Sequence, residues 1–143
     1  MPQDQTAGNP DVAPGESLEE PCGELALRTL AMPADTNPAG DVFGGWLMGQ
    51  MDIAGGIVAS QHARGRIATV AVDGFTFHKP VHVGDVVCCY SDVLSTGTTS
   101  VTIRVQAWVL RRREPGERIK VTEGTFTFVA LDKDGNKRSI DKH

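Results

Sequence analysis

The sequence has little of what usually marks a specialised protein. Its 143 residues include three cysteines, one tyrosine and two tryptophans. No C-x-x-C pair occurs, so neither a thiolate metal site nor a dithiol redox motif is written into the chain. Cys88 and Cys89 are neighbours that face opposite sides of any strand they occupy. All three thiols are expected to stay reduced, with Cys88 or Cys89 filling core space as buried cysteine does. There is no basic excess either: 14 Lys and Arg stand against 18 Asp and Glu, a net charge of -4, which argues against a nucleic-acid binder. The longest apolar stretch, Trp46 to Ala59, is broken by Gln50 and Asp52 and falls short of the roughly 20 residues that span a bilayer. The first residues lack a basic region followed by an apolar one, so no secretory signal is expected and the cytoplasm is the predicted compartment. His62, His78 and His82 lack metal-ligand spacing and have no Ser or Cys partner in a nucleophile motif. They receive no role, and no metal or cofactor is expected.

The length suits one domain. Residues 1–22 carry Pro2, Pro10, Pro14 and Pro21 without a sustained apolar period, and are predicted to be a disordered tail before a domain at 23–143. From Glu24 the alternation Leu25, Leu27, Thr29, Ala31 predicts a strand, ended by the turn-rich run Pro33 to Asp41. A helix follows from about Gly45 to Ala63. Leu47, Met51, Ala54 and Val58 form one apolar line on it, which Trp46, Ile53 and Ile57 extend, so the helix is predicted to be buried. Gly45, Met48, Gly49, Asp52, Gly55, Gly56 and Ala59 share the remaining stripe, setting a carboxylate among small residues. Each Gly inside a helix costs about 1 kcal/mol. Close approach by the sheet or by a second subunit would explain them.

Beyond Gly65 the period becomes two, predicting strands at Ile67–Phe77, Asp85–Leu94, Thr98–Arg112 and Lys120–Leu131. The turn signals between them suit successive antiparallel connections. The expected class is α+β: a five-stranded antiparallel sheet wrapped around one long central helix, the hotdog architecture.

The run Arg28-Thr29-Leu30-Ala31-Met32-Pro33-Ala34-Asp35-Thr36-Asn37, then Gly40-Asp41-Val42-Phe43-Gly44-Gly45-Trp46 and Gln50-Met51-Asp52, resembles the YciA-like acyl-CoA thioesterases of the hotdog superfamily. The likeness continues through Gly84-Asp85-Val86-Val87-Cys88-Cys89-Tyr90 and Gly97-Thr98-Thr99-Ser100-Val101, covering about residues 24 to 132. It implies hydrolysis of acyl-CoA to a carboxylic acid and coenzyme A, with Asp52 as the catalytic carboxylate. A carboxylate can activate water as a general base or attack the thioester itself. Gly44 and Gly45 open the helix, where unpaired N–H groups favour a developing oxyanion. The resemblance places Asp41 beside the helix carboxylate, where two neighbouring carboxylates would push their proton affinities apart. An N-cap for the helix is the plainer reading of Asp41. For coenzyme A, the candidates are Gly97, Thr98, Thr99 and Ser100 as hydrogen-bonding groups, and Lys79, Arg111, Arg112 and Arg113 as phosphate partners; a hairpin turn and a solvated strand end explain the same residues. The resemblance implies no cofactor apart from the coenzyme A of the substrate, no nucleic-acid or membrane partner, and a homodimer as the minimal unit, assembled as a trimer of dimers.

Two other readings were weighed. Asp35-Thr36-Asn37-Pro38 echoes the start of the hotdog enoyl-CoA hydratase motif, but the position of its catalytic His is Gly40 here. A non-catalytic acyl-CoA-binding hotdog protein is the remaining alternative, separated from an enzyme by thiol release.

Overall fold

The computed structural model describes residues 20–111 and 118–140. Most of the predicted tail lies outside them, as do Arg112, Arg113 and the turn at 114–117. The elements in chain order are β1 (Glu24–Leu30), a 3-10 turn (Pro33–Asp35), α1 (Gly44–Ala63), β2 (Ile67–Phe77), β3 (Val86–Thr96), β4 (Ser100–Leu110) and β5 (Arg118–Ala130). The helix and every strand stand within two residues of their predicted positions.

The strand order is β1-β3-β4-β5-β2, antiparallel throughout. Here the structure corrects the expected run of successive hairpins. β3–β4 and β4–β5 are sequential neighbours, but β2 pairs with β5 at one edge while β3 pairs with β1 near the other. The reason lies in residues 78–85. The N–H groups of His78 and Lys79 both donate to the Val121 carbonyl, at 2.7 and 3.3 Å, and the Val81 carbonyl accepts from Val42 N–H at 2.9 Å. Val81 is buried. The segment therefore turns out of the sheet and crosses its end. Eight residues reach about 26 Å, more than the roughly 14 Å of three strand spacings that separate β2 from β3.

The core lies between the helix and one face of this sheet. Leu47, Met51, Ala54 and Val58 are buried against Val101, Ile103, Val105, Ala107 and Val109 of β4, whose period of two survives intact. On β5 the buried side chains switch phase, from Ile119 and Val121 to Phe126 and Phe128. A register shift opposite Ala107 and Trp108 accounts for the switch, since one extra residue in a strand inverts every side chain after it. Cys89 joins the core and its thiol is pushed up to about 12 by burial, with Cys88 adding to the effect, so it is no nucleophile at neutral pH. All three cysteines are free.

On the sheet's other face, Trp108 and Gln106 are buried beneath the segment that precedes β1. Gln106 Oε1 accepts from Cys22 N–H at 3.0 Å and from Trp108 Nε1–H at 3.1 Å, and Gln106 Nε2 donates to Glu123 at 2.7 Å. Glu20 pairs with Arg118, whose guanidinium lies 5.9 Å from the Trp108 ring. Residues 20–22, which the sequence assigns to the tail, are thus docked on the sheet.

The helix is less enclosed than its composition predicts. Ile53 is 52% and Ile57 38% exposed, and the edge strand β2 exposes Val70 and Phe77 by more than half. Among the described residues no helix is long and apolar enough to cross a membrane.

Its glycines answer to different constraints. A Cβ on Gly55 would stand 3.0 Å from Phe128 Cζ and 3.1 Å from Val105 Cγ2, whereas at Gly49 it would meet nothing within 4 Å. The sheet explains Gly55 and does not explain Gly49. Gly55→Val should therefore lose about 1–3 kcal/mol by overpacking, read as a lower urea midpoint at unchanged slope.

Candidate active site

Asp52 lies midway along α1, one helical turn after Met48 and Gly49. The helix runs back beside β2, and between them opens a groove of about 240 Å³ lined by Met48, Gly49, Asp52, Thr69, Val72 and Phe126. Thr69 Oγ1–H donates to Asp52 Oδ1 at 2.7 Å. The other carboxylate oxygen has no hydrogen-bond partner among the described residues, and the remaining wall of the groove is mostly apolar. A carboxylate fixed through one oxygen beside a mostly apolar groove is suited to accept a proton from a bound water.

The start of the helix forms a second locus. Phe43 is the N-cap and no side chain caps the first turn, so the N–H groups of Gly44 and Gly45 are not taken by a cap. A Cβ on Gly44 would lie 3.3 Å from the Phe77 ring, while one on Gly45 would meet nothing within 4 Å. A cavity of about 370 Å³ beside it is lined by Val42, Gly44, Phe77, His78, Lys79 and Pro80. Asp41 does not cap the helix. Its Oδ1 lies 3.3 Å from His82 Nδ1, both side chains being about half exposed.

The turn before the helix is closed by Asn37. Its N–H donates to the Asp41 carbonyl at 2.7 Å, and its Oδ1 accepts from the N–H groups of Ala39 at 2.9 Å and Asp41 at 3.2 Å. Gly40 takes φ +89°, a conformation that a side chain would strain.

The coenzyme A candidates among the described residues are not brought together within one chain; Arg112 and Arg113 lie outside them. Lys79 sits by the helix start, and Arg111 near it is already engaged: Nε lies 3.5 Å from the buried Asp85 carboxylate and Nη2 donates to the Pro80 carbonyl at 3.0 Å. Gly97, Thr98, Thr99 and Ser100 form the β3–β4 turn at the opposite end, where His62 near the helix C-terminus bonds Thr96 at 2.8 Å. There Gly97 N–H donates to the Ser100 carbonyl, and the carbonyls of Thr99 and Thr98 accept from Ala130 and Ile140. The Gly97 N–H and the carbonyls of Thr98, Thr99 and Ser100 are therefore committed to the fold, while the N–H groups of Thr98 and Thr99 have no backbone partner among the described residues. No cluster of three or more His, Cys, Asp or Glu side chains able to hold a metal ion occurs among the described residues.

Sequence reasoning assigned no site role to Asn37, Thr69 or His82. Thr69 carried no signal of its own, because its relation to Asp52 exists only once β2 folds back along the helix.

A sequence profile of the thioesterase superfamily matches residues 39–115. The acyl-CoA thioester hydrolase YciA of Escherichia coli is 57% identical over 122 residues, which is 84% of this chain and 92% of that one. A hexameric thioesterase from Yersinia pestis superposes with a TM-score of 0.82 at 55% identity, covering 87% of this chain and 100% of the other. An acyl-CoA hydrolase from Staphylococcus aureus, solved in complex with butyryl coenzyme A and coenzyme A, superposes with a TM-score of 0.74 at 30% identity, covering 80% of this chain and 69% of that one. Three further structures of that hydrolase carry alanine in place of an asparagine, of an aspartate 15 residues on, and of a threonine 17 residues after it. Asn37, Asp52 and Thr69 stand at the same two spacings.

Removing the hydroxyl from Thr69 would leave Asp52 without its one side-chain partner among the described residues. Thr69→Ala is expected to lower kcat about tenfold, the cost of one hydrogen bond to a charged group, while Thr69→Ser keeps most of it. Steady-state release of free thiol measures both.

Proposed function

The chain belongs to the thioesterase superfamily and is an acyl-CoA thioester hydrolase of the hotdog fold, and from that premise we propose how its residues divide the work. Asp52 acts as general base. It takes a proton from a water whose oxygen attacks the thioester carbonyl carbon. The negative charge that develops on the carbonyl oxygen is met by the N–H groups of Gly44 and Gly45 and the positive end of the helix. Collapse of the tetrahedral intermediate breaks the C–S bond. The thiolate of coenzyme A leaves and recovers the proton from Asp52, and the acid remains as the other product. Attack by Asp52 itself would form an acid anhydride and belongs to the same arrangement.

The observation that carries this reading is the hydrogen bond of 2.7 Å from Thr69 to Asp52 within a mostly apolar groove. Asn37, matched in spacing to the substituted asparagine of the S. aureus hydrolase, joins the set as a group that orients water or the carbonyl. Asp41 holds the turn on which Asn37 sits. Lys79, beside the helix start, is the favoured partner for a coenzyme A phosphate, and the hydroxyls of Thr98, Thr99 and Ser100 are secondary candidates. Coenzyme A is part of the substrate and no further cofactor enters the scheme. The cytoplasm, where thiols stay reduced, suits the three free cysteines.

Each site is built from two chains. Gly45 and Asp52 are seven residues apart on one helix, about 10 Å by the helical rise, too far for both to act on one reacting carbon. A second copy set against the exposed edge of β2 would cover Val70, Phe77, Ile53 and Ile57. It would bring the start of its helix to the middle of the first, and the open side of Gly49 allows that approach. The Yersinia pestis relative is hexameric, and a trimer of such dimers is the assembly proposed.

Two measurements test this reading. Asp52→Asn should keep acyl-CoA binding and lose at least ~100-fold in turnover; near-native turnover would move the chemistry to another residue. In the second, Asn37→Ala and Asp52→Ala chains are mixed in equal amounts, unfolded and refolded together. About half the dimers are then mixed, each with one undamaged site, so activity should return to about a quarter of native. Background activity after proven subunit mixing would sink the two-chain site.

A further inference from the structure

We propose that His82 is a positioning residue, its ring clasping Asp41 and so fixing the Asn37–Asp41 turn at the edge of the active site. The inference rests on the reading that this turn borders the reacting thioester.

Asp41 and His82 form an isolated antiparallel bridge. Residues directly opposite in such a bridge project their side chains to the same side, with Cβ atoms about 5 Å apart, and here His82 Nδ1 comes within 3.3 Å of Asp41 Oδ1. The two groups thus stand at ion-pair distance across the bridge. The ring itself is presented from a braced turn. His82 N–H donates to Asp85 Oδ2 at 2.9 Å, and Asp85 N–H donates back to the His82 carbonyl at 3.0 Å. Asp85 is only 5% exposed and its carboxylate is also approached by Arg111. Gly84, at φ +91°, donates its N–H to the Ala31 carbonyl at 2.9 Å.

On the far side of the clasp, Asp41 is tied to Asn37 through both its N–H and its carbonyl. Asp41 therefore cannot shift without moving Asn37. A chain of contacts runs from the buried Asp85 through His82 and Asp41 to Asn37, and its one link made wholly of side chains is the His82–Asp41 contact. Both side chains of that link are about half exposed, so its loss should loosen the turn rather than unfold the domain.

The test is a set of variants with a double-mutant cycle. His82→Ala is expected to lower kcat about fivefold to tenfold, the value of an exposed ion pair or somewhat more, with little change in KM. His82→Asn should restore most of it, because the amide nitrogen of Asn reaches where Nδ1 stands; His82→Gln, whose amide matches Nε2, should not. In an Asp41→Ala background, His82→Ala should cost nothing further. Native kcat in His82→Ala, equal loss in the Asn and Ala variants, or an undiminished loss in the Asp41→Ala background would each overturn the role of His82. Native kcat in Asp41→Ala would overturn the reading of the turn on which the proposal rests. Matching thermal midpoints within the set keep a folding defect from imitating any of these results.

Discussion

The packing of one helix face into the sheet is the constraint from which the other features follow. Leu47, Met51, Ala54 and Val58 fix the rotation of α1 about its axis, and Gly55 fixes its distance, by letting the rings of Phe128 and the methyl of Val105 touch the helix backbone. Once both are set, Asp52 has only one place to be. It falls on the flank of the buried line, over the groove beside β2, where the alternation of that strand presents Thr69. A one-residue slip of β2 would turn Thr69 to the other face and leave Asp52 without that hydrogen bond. The geometry of the candidate site is thus a by-product of core packing, which is why Asp52 and Thr69 sit on a regular helix and strand rather than on long loops.

The same constraint leaves the chain incomplete. A helix apolar on most sides can cover only part of itself with one sheet, and Ile53 and Ile57 remain exposed with Val70 and Phe77 of the edge strand. Exposed apolar surface next to an unpaired strand edge is costly in water and invites pairing. It lies where the proposed mechanism needs a second helix start. Stability and the proposed catalysis then call for the same partner, and the proposed dimer would satisfy both.

Polar contacts do a different job from the core. Asp85, Arg111, His82, Asp41 and Asn37 form a series at the helix start, linked largely through backbone groups, and they fix a turn that carries no core residue before Val42. Such a turn has little hydrophobic burial to hold it, so hydrogen bonds must define its shape. The carbonyls of the Gly97–Ser100 turn illustrate the opposite case: they hold the ends of β5 and the C-terminal segment, leaving hydroxyls and the N–H groups of Thr98 and Thr99 for any ligand.

The sequence by itself determined the elements and singled out one carboxylate on the central helix. The apolar line of α1 and the period of two in β4 are local regularities, and local regularity is what a sequence displays. The run from Arg28 to Asp52 pointed to the family, and with it to Asp52, Gly44 and Gly45. It did not announce the docking of Glu20–Cys22 onto Trp108 and Gln106, because a segment without apolar period gives no sign of a hydrogen-bonded landing place 84 residues away. Tertiary structure alone decided that β2 lies beside β5, that Val121 is a bulge whose carbonyl captures the segment after β2, and that Thr69 meets Asp52 while His82 meets Asp41. Each depends on register or on a chain crossing, and these are set by how whole elements pack against one another, which no residue pattern within a single element encodes.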